Sequence, residues 1–151
     1  TEMERTEMLS ALGSRFSVDL YSGSKAANLP VRFCGRVKTH TEMPLVFHES
    51  RINLNMTAKS IRSGIPLRVW DVLGCQGFLI SNYQTEIPEY FVPGEDLVLY
   101  SSKAELLDLT DYYLSHSAER KEIAHNAYEK IKTYHTYPIR LTEMLEAAFR
   151  L

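Results

Sequence analysis

The segment from Asn55 to Asp71 carries the side chains with the clearest chemical potential. It follows a predicted strand that ends in polar residues, and it has serine, glycine and proline in the order expected where a helix begins. Ser63 has the residue type of a helix cap, and Gly64 lets the backbone approach a ligand closely. We therefore predict a helix N-terminus with free N–H groups at Leu67 and Arg68, which is a site for an anion.

Two charged side chains of this helix sharpen the prediction. The guanidinium of Arg68 presents planar donors that suit phosphate oxygens. Asp71 lies three residues later, so its carboxylate falls on the same side one turn deeper, within reach of ribose hydroxyls. The segment predicts a nucleoside diphosphate site, with Ser63, Gly64, Leu67 and Arg68 at the phosphates and Asp71 at the ribose. The alternative is an ordinary amphipathic helix in which Arg68 and Asp71 form an exposed ion pair.

Such a site needs a parallel sheet, because ligands of open α/β sheets bind beyond the carboxyl ends of the strands. Seven glycines and six prolines separate short apolar runs from helical patterns, which is typical of alternating strands and helices. The predicted strands are 17–21, 31–34, 52–55, 78–80 and 97–100. The predicted helices are 1–12 with Gly13 as its stop, 44–49, 65–73, 86–91, one capped by Ser102 and Glu105, one from Ser117, and one from Pro138 through Leu141 and Leu145. We predict a Rossmann-like α/β fold, with a mostly parallel sheet, helices on both faces and a helical C-terminal tail.

Several stretches resemble the spore maturation protein family of glycosyltransferase-like proteins. The most specific is Arg-Ser-Gly-Ile-Pro-Leu-Arg-Val-Trp-Asp at 62–71, continuing to residue 80. The others are 52–55, 86–100 and 119–126, so the similarity extends roughly over residues 30 to 145. That family in turn resembles the C-terminal, donor-binding half of retaining GT-B glycosyltransferases.

The resemblance implies a substrate and different roles for two lobes. A nucleotide-diphosphate sugar would be the donor, with no separate cofactor, and an N-terminal lobe would bind the acceptor. In those enzymes two glutamates eight positions apart flank a helix start, the first near the donor sugar and the second at the ribose. The second position falls on Asp71 in this sequence. The first falls on Ser63, which has no charge. The turn of Gly35, Arg36 and Val37 corresponds to the segment that contacts the base, although Arg36 is equally well interpreted as a solvated loop cation.

Two other functions compete with a transferase. A non-catalytic interaction module could keep the fold without the chemistry, as Ser63 in place of a carboxylate suggests. A response-regulator-like domain should have paired acids at the end of its first strand, and residues 17–21 contain Asp19 alone.

Composition excludes several further classes. A chain of 151 residues with 44% hydrophobic residues can bury one core, and we expect a single lobe of a larger two-lobed protein because the sequence opens inside a helix. A net charge of −2 without charge blocks argues against nucleic acid. The absence of a signal peptide and of an apolar run of ~18 residues predicts a cytoplasmic protein with reduced Cys34 and Cys75. The five histidines have no metal-binding spacing, so we expect no metal.

Overall fold

The computed structural model describes residues 2–24, 28–58, 61 and 63–149. Thr1, where the first predicted helix begins, and Arg62 of the 62–71 motif lie outside these ranges. Strands and helices alternate along most of the described chain, with two successive strands near its start and three successive helices at its end. In order they are α1 (Glu2–Arg15), β1 (Asp19–Tyr21), β2 (Arg32–Gly35), α2 (Met43–Glu49), β3 (Asn53–Asn55), α3 (Leu67–Gly74), β4 (Leu79–Asn82), α4 (Ile87–Tyr90), β5 (Val98–Tyr100), α5 (Lys103–Ser115), α6 (Ser117–Tyr134) and α7 (Tyr137–Phe149).

All strand pairs are parallel, but they form two ladders. β1 pairs with β2, and β4 lies between β3 and β5. The predicted α/β fold with parallel strands is therefore confirmed, although each strand is short and its bounds differ from the prediction by one or two residues.

Helices cover both faces of the three-stranded ladder, as predicted. Ile80 of β4 packs with Leu12 of α1 and Leu106 of α5. The neighbouring Leu79 points to the other face and packs with Val69 and other residues of α3 and α4. Both strand residues have no exposed surface, which follows from side chains alternating across a strand that is buried on both sides.

The predicted end of α1 at Gly13 is wrong, because the helix continues to Arg15. Gly13 lies against the loop before β2. A Cβ atom added there would lie 2.2 Å from the carbonyl oxygen of Pro30. The glycine therefore allows close packing of α1 and does not terminate it.

The helical C-terminal third is confirmed, with one difference in packing. Ser102 caps α5 by accepting a hydrogen bond from the Glu105 N–H at 3.2 Å. By contrast, α7 buries none of its residues, and Leu141 and Leu145 are each 54% exposed. None of the described helices combines the length and apolarity needed to cross a membrane.

Candidate functional site

A cavity of about 490 Å³ opens where β1, β2 and β3 end. It lies between the two ladders, at the edge of the sheet where open α/β folds bind ligands. We call it the ladder cavity. Its lining residues are Arg5, Leu9, Leu20, Tyr21, Val37, Met43, Val46, Phe47, Leu54, Asn55, Met56 and Arg68. The charged residues in this lining are both arginines, which favours an anionic ligand.

Arg68 contributes its side chain to the ladder cavity from the first turn of α3. Its guanidinium lies 5.0 Å from the ring centroid of Phe47, and Nη1 lies 2.9 Å from Sδ of Met43. The side chain is exposed, and it does not form the ion pair with Asp71 that the alternative interpretation required. Its charge is thus available to a ligand.

The start of α3 also offers backbone donors. Pro66 precedes the helix in an extended conformation, with ψ of 141°. The first backbone bond is donated by Val69 to the Pro66 carbonyl at 2.9 Å. The N–H groups of Leu67 and Arg68 find no acceptor within the described residues, as expected for the first turn of a helix. These two amides and the Arg68 guanidinium lie at one helix end.

The turn before α3 differs from the predicted anion site. Gly64 has a left-handed backbone, with φ of 86°, which favours glycine. Its N–H donates to the carboxylate of Glu86, in the loop after β4. Ser63, beside it, is exposed and makes no cap hydrogen bond to α3. A phosphate reaching the Gly64 N–H would have to displace this carboxylate.

Asp71 lies one turn into α3 on the exposed surface and does not line the ladder cavity. Burial raises the pKa of the Cys75 thiol, and the Asp71 charge adds to this shift. The lining of the ladder cavity therefore includes Arg68 and not Asp71.

The three residues proposed for the base are also separated. Gly35 ends β2 with a left-handed φ of 77°, and Val37 lines the ladder cavity. Arg36 is exposed and covers the turn after β1: a Cβ added at Gly23 would lie 2.2 Å from its Nε. Of this segment, Val37 reaches the cavity and Arg36 points to the neighbouring turn.

A second cavity, of about 420 Å³, lies beyond the ends of β3, β4 and β5. Its lining includes the neutral polar side chains of Thr57, Asn82, Gln84, Tyr100 and Ser101. Asn82 fixes the loop after β3, since its Oδ1 accepts the Thr57 N–H at 2.7 Å and its Nδ2 donates to the Thr57 carbonyl at 3.2 Å. Burial, with a further effect of the Glu4 charge, raises the pKa of Tyr100 to about 12, so its hydroxyl is protonated at neutral pH. We call this the polar cavity.

Arg5 joins the two cavities, since it and Met56 line both. Its Nη2 donates to the Met56 carbonyl at 3.1 Å. Sequence reasoning missed Arg5, Asn82 and Glu86. Two features of the sequence could have indicated them. Arg5 is a basic residue three positions before Met8, which belongs to the apolar stripe of the first helix. Asn82 and Glu86 are polar residues that come after the apolar residues of a buried strand. Among the described residues, no three His, Cys, Asp or Glu side chains converge as a metal site would require.

Comparisons with known proteins match this architecture. A family model described as "Glycosyl transferase-like" matches residues 5–146. A search of curated proteins found no match. Three solved structures share the fold at low sequence identity. The C-terminal domain of the glycosyl transferase group 1 family protein LpcC from Francisella tularensis is 22% identical, with a TM-score of 0.58 over 73% of this chain and 56% of that chain.

The other two are larger. Sucrose-phosphate synthase from Thermosynechococcus elongatus is 12% identical, with a TM-score of 0.74 over 97% of this chain and 43% of that one. HepE from Anabaena, solved in complex with UDP-glucose, is 13% identical, with a TM-score of 0.73 over 97% of this chain and 46% of that one. The chain thus spans about half the length of these solved chains. Because the family model matches nearly the whole described chain, with parallel strands and helices on both faces, this protein belongs to the glycosyl transferase-like family.

Proposed function

We propose that this chain is the donor-binding lobe of a glycosyltransferase and that it binds a nucleotide-diphosphate sugar at the edge where its strands end. The observation that carries the proposal is the charge of the ladder cavity, in which Arg5 and Arg68 are the charged lining residues. A diphosphate is an anion that such a cavity attracts. A solved structure of the same fold, Anabaena HepE, was determined with UDP-glucose bound.

The phosphates are assigned to the start of α3. The guanidinium of Arg68 and the N–H groups of Leu67 and Arg68 supply donors to the diphosphate oxygens. During transfer the leaving diphosphate gains negative charge, and these fixed donors would stabilise that charge without a metal ion. Ser63 and Gly64 complete the phosphate site once the Glu86 carboxylate moves away from the Gly64 N–H.

The nucleoside and the sugar are assigned to the flanking surfaces. The segment of Gly35, Arg36 and Val37 contacts the base, and Asp71 accepts hydrogen bonds from the ribose after a local rearrangement at the start of α3. The polar cavity suits the sugar, because its amides and hydroxyls can pair with several hydroxyl groups, and Glu4 and Arg5 also line it. Arg5, which lines both cavities, lies where sugar and diphosphate meet.

The complete transferase requires a second lobe. In this proposal residues 1–151 form one lobe, within the spore maturation protein branch of the family, and an N-terminal lobe supplies the acceptor. Group transfer then occurs between lobes, so the lobe alone binds the donor without turning it over. The protein acts in the cytoplasm, where nucleotide sugars are the activated donors.

Calorimetric titration tests the proposal. UDP, GDP and UDP-glucose are titrated separately into the protein, with uridine as a control that lacks phosphates. We expect one nucleoside diphosphate to bind with a dissociation constant between about 1 μM and 1 mM, and uridine to bind far more weakly. A folded protein that binds none of the diphosphates at millimolar concentration would refute the proposal and support the interaction module instead.

A further inference from the structure

Positive charge collects at the edge of the sheet opposite the ladder cavity. A cavity of about 380 Å³ lies there, near the amino ends of β3 and β4. Three cations line it: Arg51 from the loop before β3, and Arg120 and Lys121 from near the start of α6. The acid in its lining is Glu49, so the cavity has a formal charge of +2 when His48 is neutral. We call it the basic cavity.

Arg120 is the recessed cation of the basic cavity, since only 9% of its surface is exposed. Its Nη1 donates to the carbonyl of Tyr113, in the last turn of α5. Its Nε and Nη2 make no hydrogen bond among the described residues, and neither atom is sealed from solvent. A guanidinium has five N–H donors, so most of the donors of Arg120 remain for a ligand.

The three cations have no carboxylate partner in the part of the chain that the structure describes. Arg51, Arg120 and Lys121 take part in none of its ion pairs, and Glu49 lines the cavity without pairing with any of them. Burial, and then the charge of Arg51, lowers the pKa of Arg120. Buried charges in proteins are normally paired, so an anion between the two arginines would relieve both the burial and the repulsion.

The basic cavity is assembled from four separate parts of the fold. They are the end of α2, the loop before β3, the turn after α3 and the start of α6. His48, at the end of α2, donates from Nδ1 to the Cys75 carbonyl at 3.0 Å, which leaves its Nε2 for another partner. Phe78 and Ala124 are buried and form the apolar part of the lining. The cations therefore converge on a recess that the packing of the core shapes.

The charge and the donors of the basic cavity suit a phosphomonoester. This group carries about −1.5 to −2 charge at neutral pH and three strong acceptor oxygens, which matches the charge of the lining. Guanidinium groups bind phosphate oxygens in pairs, and two arginines are present. A carboxylate would neutralise only half of the charge. Because Arg120 is recessed, a small free phosphate reaches it more readily than the flat surface of a membrane does.

We propose that the basic cavity is a second anion site of this lobe, which binds the phosphomonoester group of a small molecule between Arg51, Arg120 and Lys121. The site lies at the opposite edge of the sheet from the ladder cavity, and the two cavities share no lining residue. It is independent of the nucleotide-sugar site proposed above.

Calorimetric titration with glycerol 3-phosphate tests the inference. It is carried out at constant ionic strength and about pH 7.5, where the phosphate has lost its second proton. We expect glycerol 3-phosphate to bind at millimolar concentration or below, dimethyl phosphate, with its single charge, to bind severalfold more weakly, and glycerol not to bind. A wild-type protein that does not bind glycerol 3-phosphate at about 10 mM would overturn the inference.

Two double variants locate the site. R51A/K121A removes two exposed cations of the basic cavity and should weaken glycerol 3-phosphate binding about tenfold or more, with Tm unchanged. R15A/K132A removes the same charge from exposed residues outside the cavity and should leave binding intact. Equal losses in the two double variants would show a general attraction of the protein for anions and would overturn the inference.

Two further measurements distinguish other ligand positions and sources. R68A should weaken UDP binding alone, and R51A/K121A should weaken glycerol 3-phosphate binding alone. Loss of glycerol 3-phosphate binding in R68A would place the phosphate in the ladder cavity and overturn the inference. Vesicles of phosphatidylcholine with phosphatidic acid present the same group on a lipid. Binding to these vesicles without binding of glycerol 3-phosphate would identify a membrane surface as the ligand and would also overturn it.

Discussion

The N–H of Gly64 donates to the carboxylate of Glu86, so an acid from the loop after β4 occupies the turn that precedes α3. This contact places negative charge at the turn four residues before Arg68, which we assign to the diphosphate. It occupies a donor that the ligand could use. Glu86 therefore competes with the ligand for the same turn.

Removing this charge should strengthen diphosphate binding. In E86Q the neutral amide no longer repels the phosphates, and we expect UDP to bind roughly threefold to tenfold tighter by calorimetry. E89Q, an exposed acid in α4, serves as the matched control and should leave binding unchanged. Weaker UDP binding in E86Q would show instead that the carboxylate holds the site in its binding conformation.

Arg68 should contribute a charged hydrogen bond to the diphosphate. We expect R68A to weaken UDP binding about tenfold or more, since such bonds contribute about 1.5–3 kcal/mol. R51A changes an exposed arginine just before β3, at the opposite edge of the sheet, and should have little effect. Equal losses in the two variants would indicate a general electrostatic effect and contradict the assignment.

Asp71 should act on the nucleoside and not on the phosphates. We expect D71N to weaken UDP binding severalfold while pyrophosphate binding stays the same, because the amide is a poorer acceptor for ribose hydroxyls. D108N, an exposed acid of α5, is the control. Parallel changes for UDP and pyrophosphate would exclude Asp71 from the ribose contact.

His135 should make stability depend on pH. Its ring lies 5.2 Å from the Trp70 ring, and Arg140 Nη2 lies 2.6 Å from its Nδ1. Burial, then the charges of Arg140 and Lys130, lowers the His135 pKa below its usual 6.5, although Glu143 opposes this. The unfolded chain takes up a proton first, so His135 destabilises the fold as pH falls from about 6.5 toward the lower folded pKa.

The measurement is urea unfolding between pH 7.5 and 5. H135N keeps an acceptor for Arg140 but does not titrate, and it should flatten this part of the stability profile. H40N, in an exposed turn, should retain the wild-type slope. A wild-type slope in H135N would show that other groups cause the loss.

Gly13 and Gly74 should respond oppositely to alanine. G13A would force a Cβ within 2.2 Å of the Pro30 carbonyl oxygen, and we expect a loss of about 1–3 kcal/mol from displacement of the loop before β2. Gly74, the last residue of α3, has open space at its Cβ position, so G74A should be neutral or slightly stabilising. Chemical denaturation measures both, and an equal effect in the two variants would contradict the packing explanation.

The sequence predicted the fold well because its signals were local. Gly and Pro marked the connections, and the spacing of Ser102 and Glu105 marked a helix start that the structure confirms. The predicted helix end at Gly13 was wrong for a physical reason. A glycine that ends a helix and a glycine that allows close packing cannot be distinguished from the sequence alone. The exposure of Leu141 could not be predicted from the sequence either, because an apolar stripe on a helix does not indicate whether another surface packs against that stripe.

The candidate site was less predictable, because its residues come from separate elements. Arg68 could be placed at a helix start from the sequence around it, and it lines the cavity as a ligand contact should. The contact between Gly64 and Glu86 joins residues 22 positions apart, and no spacing rule indicates it. Arg5 is further away still, 51 positions from the carbonyl it contacts. The ligand roles of Arg68, Asp71, Arg36 and the other predicted site residues stay predictions.

The exclusively parallel pairing has a kinetic consequence. Among the strands that the structure describes, no two neighbours are joined by a hairpin, and paired residues lie from 13 to 26 positions apart in the chain, as for Asp19 with Arg32 and Asn55 with Ser81. Folding therefore cannot begin from a two-strand nucleus closed by a tight turn. In the ladder of β3, β4 and β5, the helices α3 and α4 must form and dock before neighbouring strands can meet, so the folding rate should depend on how fast these helices assemble.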